Sequence, residues 1–235
     1  MTETCRLHYA PDNASLIVRL VLEELRLPYT CQLVDRGAGA HQSPDYLALN
    51  PHGLIPVLET PDGPIFETAA ILLWLSGRQN AMAPAELSSE RAGFLKWLVF
   101  TSNTLHADLR MLFYPEKYVG SGDSHQTQLR HVLRERLHAH LKRVESAAAE
   151  RPSWLGAPQP SVLDYYLACL LRWMALYPAN DDRSWFALGR YPCLQRLCAG
   201  LEQRPATAAA QAAEGLGPRP FTSPVYANPP EGSAT

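Results

Sequence analysis

Residues 49–75 read LNPHGLIPVLETPDGPIFETAAILLWL, and the proline at position 56 limits what the first apolar run can become. Proline has no N–H to give to a sheet ladder. Within a sheet it is confined to an edge, to the first residue of a strand, or to a place where the backbone departs from the ladder. The run IPVLE therefore starts a strand with main chain left exposed just ahead of it. A second run, PIFE, is joined to it by Thr60-Pro61-Asp62-Gly63, the composition of a hairpin turn. Glu67-Thr68 then opens the helix TAAILLWLSG, so strand passes directly into helix.

Upstream, CRLHY reads as a strand, and after the loop APDNA the segment SLIVRLVLEELRL places Leu16, Ile17, Leu20, Val21 and Leu25 on one helical face, with Pro28 as its stop. YTCQLV is a second strand. SPDYLAL carries Ser43 as an N-cap and Pro44 at the first helical position. The order is β-α-β followed by β-β-α, a small α/β sheet domain over residues 1–78. Beyond the connector RQNAMAPAEL the pattern becomes helical almost throughout, from SERAGFLKWLVFTSNTLHADLRMLF to CLQRLCAGLEQ, which predicts an all-α domain over 88–212. The remainder, 213–235, is rich in proline and glycine and predicts an extended tail, with Phe221 and Val225 docking on the body and the last residues fraying.

Composition narrows the partners. A chain of 235 residues, 46% apolar, with a net charge of -2 and both signs interspersed, has the core of an ordinary globular protein and no field to draw in nucleic acid or an anionic membrane. No run approaches the roughly 18 apolar residues of a membrane span, and the opening MTETCRLHYAPD has no apolar signal core, so a cytoplasmic location is expected. The five cysteines form no Cys-x-x-Cys pair and no metal-ligand spacing with histidine, which predicts reduced thiols and no metal.

Four stretches in order carry a more specific signal: YTCQLVDRGAGAHQSPDYLALNPHGLIPVL, the Glu67-Thr68 pair, WLVFTSNTLH, and SVLD after PSWLGAPQP. Together they resemble the cytosolic glutathione transferases along nearly the whole chain. The resemblance implies a thioredoxin-like amino-terminal domain that holds glutathione, an all-helical carboxy-terminal domain that shapes a pocket for a small hydrophobic electrophile, and a homodimer. It further implies a cis bond before Pro56, with the main chain of Ile55 hydrogen-bonded to the cysteinyl part of glutathione. Thr68 and the helix amides would take the γ-glutamyl carboxylate, and Glu67 its ammonium. A histidine like His41 reaches the glycyl carboxylate in similar plant-type enzymes. Leu54 replaces the usual cation or amide there, so His52 or Arg36 would have to substitute.

Conjugation in such a protein needs a donor near the glutathione sulfur, because only the thiolate attacks. The loop after the first strand has no cysteine; Ala14 falls where beta-type enzymes carry one, and Ser15 and Asn13 flank it as alternative donors. Tyr9 reads as core. His106 matches a pocket histidine of beta-type enzymes, with Val99 where their asparagine stands, and Phe113 and Tyr114 follow about two turns on. Ser161 and Asp164 form a capping box, a folding device rather than a catalytic one. The reading is a glutathione-conjugating enzyme; a non-catalytic binding homologue or a glutathione-dependent thiol reductase are the alternatives, the last weakened by the missing cysteine.

Overall fold

The computed structural model describes residues 4–233. Strand β1 (Cys5–Tyr9), helix α1 (Ser15–Glu24) and strand β2 (Tyr29–Leu33) form the first unit. A short 3₁₀ turn (Ala40–Gln42) and α2 (Pro44–Leu49) lead to the hairpin β3 (Val57–Thr60) and β4 (Gly63–Phe66), and α3 (Thr68–Gln79) follows. The four strands lie in the order β2-β1-β3-β4, with β1 and β2 parallel and the other pairs antiparallel. This is the thioredoxin-like arrangement expected from the β-α-β, β-β-α order. The Ser43 hydroxyl caps α2 by accepting from the Tyr46 N–H at 3.3 Å.

The rest is helical: α4 (Arg91–Phe100), α5 (Ala107–Phe113), α6 (Glu116–Val119), α7 (Asp123–Ala149), α8 (Val162–Leu176), α9 (Pro192–Leu201) and α10 (Pro205–Glu214). One apolar core runs through both parts, from Leu7, Leu16 and Leu20 to Leu105, Tyr166 and Phe221. Alternation along β1 sends Leu7 and Tyr9 into this core and His8 to the opposite face, against Tyr46 of α2. Helix α1 is buried from Ser15 to Leu22 because sheet, α3, α8 and α10 all pack on it. Burial that complete forces Arg19 to find a buried acid, and its Nε donates to Glu214 of α10 at 2.7 Å.

Three features depart from the sequence reading. The helix read as continuous over WLVFTSNTLHADL contains a π-helical stretch, Thr101–His106, between α4 and α5; little more than one turn of the wider helix is too short to reset the hydrophobic pattern around it. Helical structure continues through α10 to Glu214. The tail is fastened as far as Glu231: Leu216 is buried, Phe221 docks as expected, and Tyr9 donates a hydrogen bond to Glu231, while the last two residues, expected to fray, lie outside the described residues. Val225 does not dock by its side chain, which is 51% exposed; it is held by its carbonyl, which accepts from Arg172 at 2.9 Å. The capping box expected of Ser161 and Asp164 is present: the Ser161 hydroxyl accepts from the Leu163 N–H at 3.1 Å, and Asp164 accepts from the Ser161 N–H at 2.7 Å.

The five cysteines are free. Among the described residues no group of side chains could hold a metal ion, and no helix is long and apolar enough to cross a membrane.

Candidate functional site

Sheet topology gathers the candidate residues before any side chain is considered. His8 pairs with Val57, and Val57 with Phe66, so the exit of β1, the entry to β3 and the exit of β4 lie side by side at one end of the sheet. Neighbouring strands are about 4.8 Å apart. Tyr9 also pairs with Leu33, which puts the exit of β2 at the same end. The loop holding Asn13, the Ile55-Pro56 step, the Glu67-Thr68 step and the segment from Arg36 to His41 therefore share one sheet edge.

The Ile55-Pro56 bond is cis, as the resemblance implies. Among the described residues, no hydrogen bond uses the Ile55 N–H or carbonyl. The residue before it is held firmly: the Leu54 carbonyl accepts from the Tyr46 hydroxyl and from Asn50 Nδ2, both at 2.8 Å. Gly53 has φ +60°, and a Cβ there would lie 2.4 Å from Gln42 Nε2 and 2.9 Å from the His41 carbonyl, so only glycine lets this loop close on the His41 turn.

Across the edge, Glu67 has φ +70° and ψ +113°, an uncommon conformation for a residue with a side chain. It turns the chain from β4 into α3 and leaves the helix with no side-chain cap. Thr68, 7% exposed, has no hydrogen-bond partner for its hydroxyl among the described residues. A helix N-terminus carries free N–H groups and about half a positive charge. An uncapped helix start beside an unpaired hydroxyl and a carboxylate suits a zwitterion bearing both an ammonium and a carboxylate.

The two candidate donors part company here. Ser15 is wholly buried, its hydroxyl donating to the Ala10 carbonyl at 3.0 Å and accepting from the Ala10 N–H at 3.3 Å. A hydroxyl turned inward and occupied on both sides cannot present its hydrogen to a sulfur at the surface, so the structure speaks against Ser15 as donor. Asn13 is half-buried, and its Oδ1 accepts from the Ala14 N–H at 3.1 Å. That bond fixes the carboxamide and leaves both Nδ2 hydrogens without a partner among the described residues.

From the helical side, His106 shares a 2.9 Å hydrogen bond with the Tyr166 hydroxyl through Nδ1, and its ring lies 6.0 Å from that of Trp173. Burial pushes the Tyr166 hydroxyl's pKa up, and the charge of Glu67, at the exit of β4, adds to the shift. Burial pulls the His106 pKa down to about 4, with the Arg110 guanidinium adding to the shift. His106 is thus neutral near pH 7 rather than a cation. Phe113 is half-buried with its ring 6.1 Å from Tyr177, and Tyr114 packs edge-on to Phe113. Of the two other candidate histidines, His41 keeps Nδ1 buried with no partner among the described residues, while His52 is exposed and lies edge-on to Phe66. Arg36 is half-buried with no side-chain partner among the described residues.

Sequence reasoning passed over the groups that hold the Asn13 loop. The buried Asp12 carboxylate accepts from Arg172 Nε and Nη2 at 2.8 Å each, from Trp173 Nε1 at 2.8 Å and from the Tyr177 hydroxyl at 3.1 Å. One signal was available: an arginine in the middle of the apolar run YYLACLLRWMALY must be paired if that helix is buried. Nothing in the pattern named Asp12 as its partner.

Comparison with known proteins agrees with this geometry. Residues 14–78 match the family described as glutathione S-transferase, N-terminal domain, and residues 90–200 match glutathione S-transferase, C-terminal domain. Glutathione S-transferase GST-4.5 of Xanthomonas campestris pv. campestris is 30% identical over 177 residues, 72% of this chain and 81% of that protein. Disulfide-bond oxidoreductase YfcG of Escherichia coli is 28% identical over 226 residues, 90% of this chain and 96% of its own. The crystal structure of a sphingomonad glutathione S-transferase complexed with glutathione superposes with a TM-score of 0.73 at 29% identity, covering 90% of this chain and all (100%) of that one. Two matched domains in order, a relative that is similar over most of its length, and the thioredoxin-like and helical halves place this chain in the glutathione S-transferase family.

Proposed function

We propose that the chain is a glutathione transferase that binds glutathione along the sheet edge and joins its sulfur to a small hydrophobic electrophile. The observation that carries this reading is a set of unpartnered polar groups converging from separate elements on one edge: the Ile55 main chain, the Thr68 hydroxyl at the uncapped start of α3, and Asn13 Nδ2. Their chemistry fits glutathione residue by residue. Ile55 N–H and C=O pair with the cysteinyl main chain as a short strand addition. Thr68 and the α3 amides take the γ-glutamyl carboxylate, and Glu67 faces its ammonium. His41, in the turn beside this step, and the Arg36 guanidinium, without a side-chain partner among the described residues, supply the glycyl end, where the exposed Leu54 offers nothing. His52 stands at the rim of this subsite.

Asn13 then holds the thiolate by donating from Nδ2. The thiol proton leaves to solvent, the sulfur attacks the electrophilic carbon, a C–S bond forms, and the bond to the leaving group breaks with its electron pair. Phe113 and Tyr114 form the apolar wall for the electrophile, with the neutral His106 as its polar element. We place the enzyme in a homodimer, the state that the resemblance implies.

The decisive experiment titrates the protein with glutathione while following thiolate absorbance in the ultraviolet, then assays conjugation of an aryl halide. Ionisation of bound thiol near neutral pH with turnover is expected. Binding without ionisation would leave a non-catalytic glutathione-binding protein instead. A second reading, reduction of disulfides, is favoured by the similarity to YfcG over 90% of the chain. It needs no cysteine in the Asn13 loop if two glutathione molecules supply both thiols, with one disulfide reduced to two thiols and glutathione disulfide released. Turnover of a small disulfide in place of the aryl halide would select that reading.

A further inference from the structure

We propose that Asp12 is a positioning residue for the bound thiol, and that residues 216–231 of the same chain belong to the device that holds it. The inference rests on the reading of Asn13 as thiolate donor. Asp12 immediately precedes Asn13 and has φ +49°, a left-handed conformation that a residue with a side chain seldom adopts unless its surroundings hold it there. Those surroundings come from the far side of the molecule. Arg172, Trp173 and Tyr177 direct four hydrogen bonds onto the Asp12 carboxylate, and its main-chain N–H donates to Glu214 Oε2 at 2.7 Å. Glu214 is itself fixed by Arg19 Nε at 2.7 Å. These four ionisable residues are buried together.

Arg172 also reaches the tail. Its Nη1 donates to the carbonyls of Leu216 and Pro220 at 3.4 and 3.0 Å, and Nη2 to that of Val225 at 2.9 Å. The tail then doubles back: the Asn228 N–H donates to the Gly215 carbonyl at 2.9 Å, and a Cβ at Gly215 would lie 1.9 Å from the Asn228 oxygen. Glycine at 215 is therefore required for the crossing. Tyr226 donates to the Leu176 carbonyl at 3.0 Å, and Glu231 accepts from Tyr9 at the end of β1. The segment between Tyr9 and Ser15 is thus gripped from one side by β1 and the tail, and from the other by α8 and α10.

A buried ion pair is weak evidence for stability, since apolar side chains of similar volume often hold a fold as well. Directional bonds to a carboxylate fix orientation, which apolar packing does not. Orientation is what a donor to a single sulfur atom requires. The thiol acidity should therefore depend on groups that never touch glutathione.

The test uses two variants, one a substitution in the full chain and one a truncation. Tyr177→Phe removes one of the four bonds to Asp12 and keeps the ring that packs on Phe113 and Tyr226. A chain ending at Ser223 loses the Val225 carbonyl and Glu231 but keeps the buried Phe221. Each should raise the pKa of bound glutathione by about half a unit, roughly a threefold loss of thiolate, while affinity for S-methylglutathione, which has no thiol to ionise, stays within about twofold, as expected for an interaction outside the binding contacts. In an Asn13→Ala background, Tyr177→Phe should produce no further shift. If the truncated chain does not fold, Tyr177→Phe decides alone. Unchanged thiol pKa in a variant that binds S-methylglutathione normally overturns the proposal, as does a shift of equal size without Asn13. Should the unaltered protein bind glutathione without lowering its thiol pKa, it is the underlying assignment of Asn13 that fails, and this inference with it.

Discussion

Replacing Thr68 by valine separates ligand binding from folding at a single atom. Valine keeps the shape and the β-branch and removes only the hydroxyl. In the folded chain that hydroxyl has no hydrogen-bond partner among the described residues, and α3 has no side-chain cap, so no intramolecular bond is lost. The melting temperature without ligand should therefore be nearly unchanged. With glutathione bound, the variant lacks one hydrogen bond to a carboxylate, about 1.5–3 kcal/mol, or roughly 10- to 150-fold in Kd. At a ligand concentration 100 times the original Kd, binding stabilises the unaltered protein by about 2.7 kcal/mol. A variant about 30-fold weaker would retain only about 0.9 kcal/mol by the same relation. For a chain of this size each kcal/mol moves the melting temperature by about 2–4 °C, so the ligand-induced shift should fall from about 5–10 °C to about 2–3 °C. Calorimetric titration measures the affinity directly, and Thr68→Ser serves as the control that keeps the hydroxyl. An unchanged Kd in Thr68→Val refutes the γ-glutamyl assignment; a lowered melting temperature without ligand together with unchanged Kd would show the hydroxyl to be structural.

Asn13→Ala should raise the pKa of bound glutathione by about one unit or more, since each unit corresponds to 1.36 kcal/mol, and slow conjugation at neutral pH with little loss of affinity. Ser15→Ala should instead lower stability, because both hydrogen bonds to Ala10 disappear from a buried site; a pKa shift in Ser15→Ala larger than in Asn13→Ala would reverse the assignment. His106, with its pKa at about 4 in the folded chain against 6.5 when exposed, binds its proton more weakly folded than unfolded. It therefore costs stability progressively as pH falls from about 7 towards 4. His106→Gln should flatten that part of the stability profile, measured by denaturant unfolding, and leave no missing limb in the pH–rate profile between pH 5 and 8. Arg172→Met leaves the Asp12 carboxylate buried without its cation, and should cost about 3–5 kcal/mol in unfolding free energy.

The sheet and its order were legible because alternation, turn composition and the position of Pro56 all act over a few residues. The helices around Leu98, Leu137 and Leu170 were legible from the 3.6-residue period, and the Ser161 cap from its spacing to Asp164. What remained hidden depends on approaches between distant parts of the chain. Arg172 and Asp12 are 160 residues apart, and no local pattern records that they meet. Ser15 illustrates the converse: its place at a helix start made it a plausible donor, and only the inward turn of its hydroxyl onto Ala10 removes it. The tail was legible only in part, in its docked Phe221 but not in the bonds that hold its main chain. Proline and glycine forbid regular structure, but a chain without helix or strand can still be ordered when its carbonyls are taken by a buried guanidinium.

The sheet edge follows one rule in its hydrogen bonding. Groups that orient the loops are fully partnered within the chain: the Asp12 carboxylate by α8, and the Leu54 carbonyl by Tyr46 and Asn50. Groups that face the proposed ligand are left free: Ile55 N–H, the Thr68 hydroxyl and Asn13 Nδ2. An unsatisfied polar group at a surface keeps its water until a ligand replaces it, so leaving it free costs the apo fold little. The same economy is not open to Asn50, which is buried. Asn50→Ala would strip the Leu54 carbonyl of one donor and the His52 N–H of its 3.1 Å acceptor in a single change, loosening the step that leads into Ile55. It follows that substitutions at this edge should sort by which set they touch. Those at free groups should weaken glutathione binding at constant stability. Those at partnered groups should lower stability and misplace a binding group they never contact, which sets Asn50→Ala apart from Thr68→Val even when the two lose similar affinity.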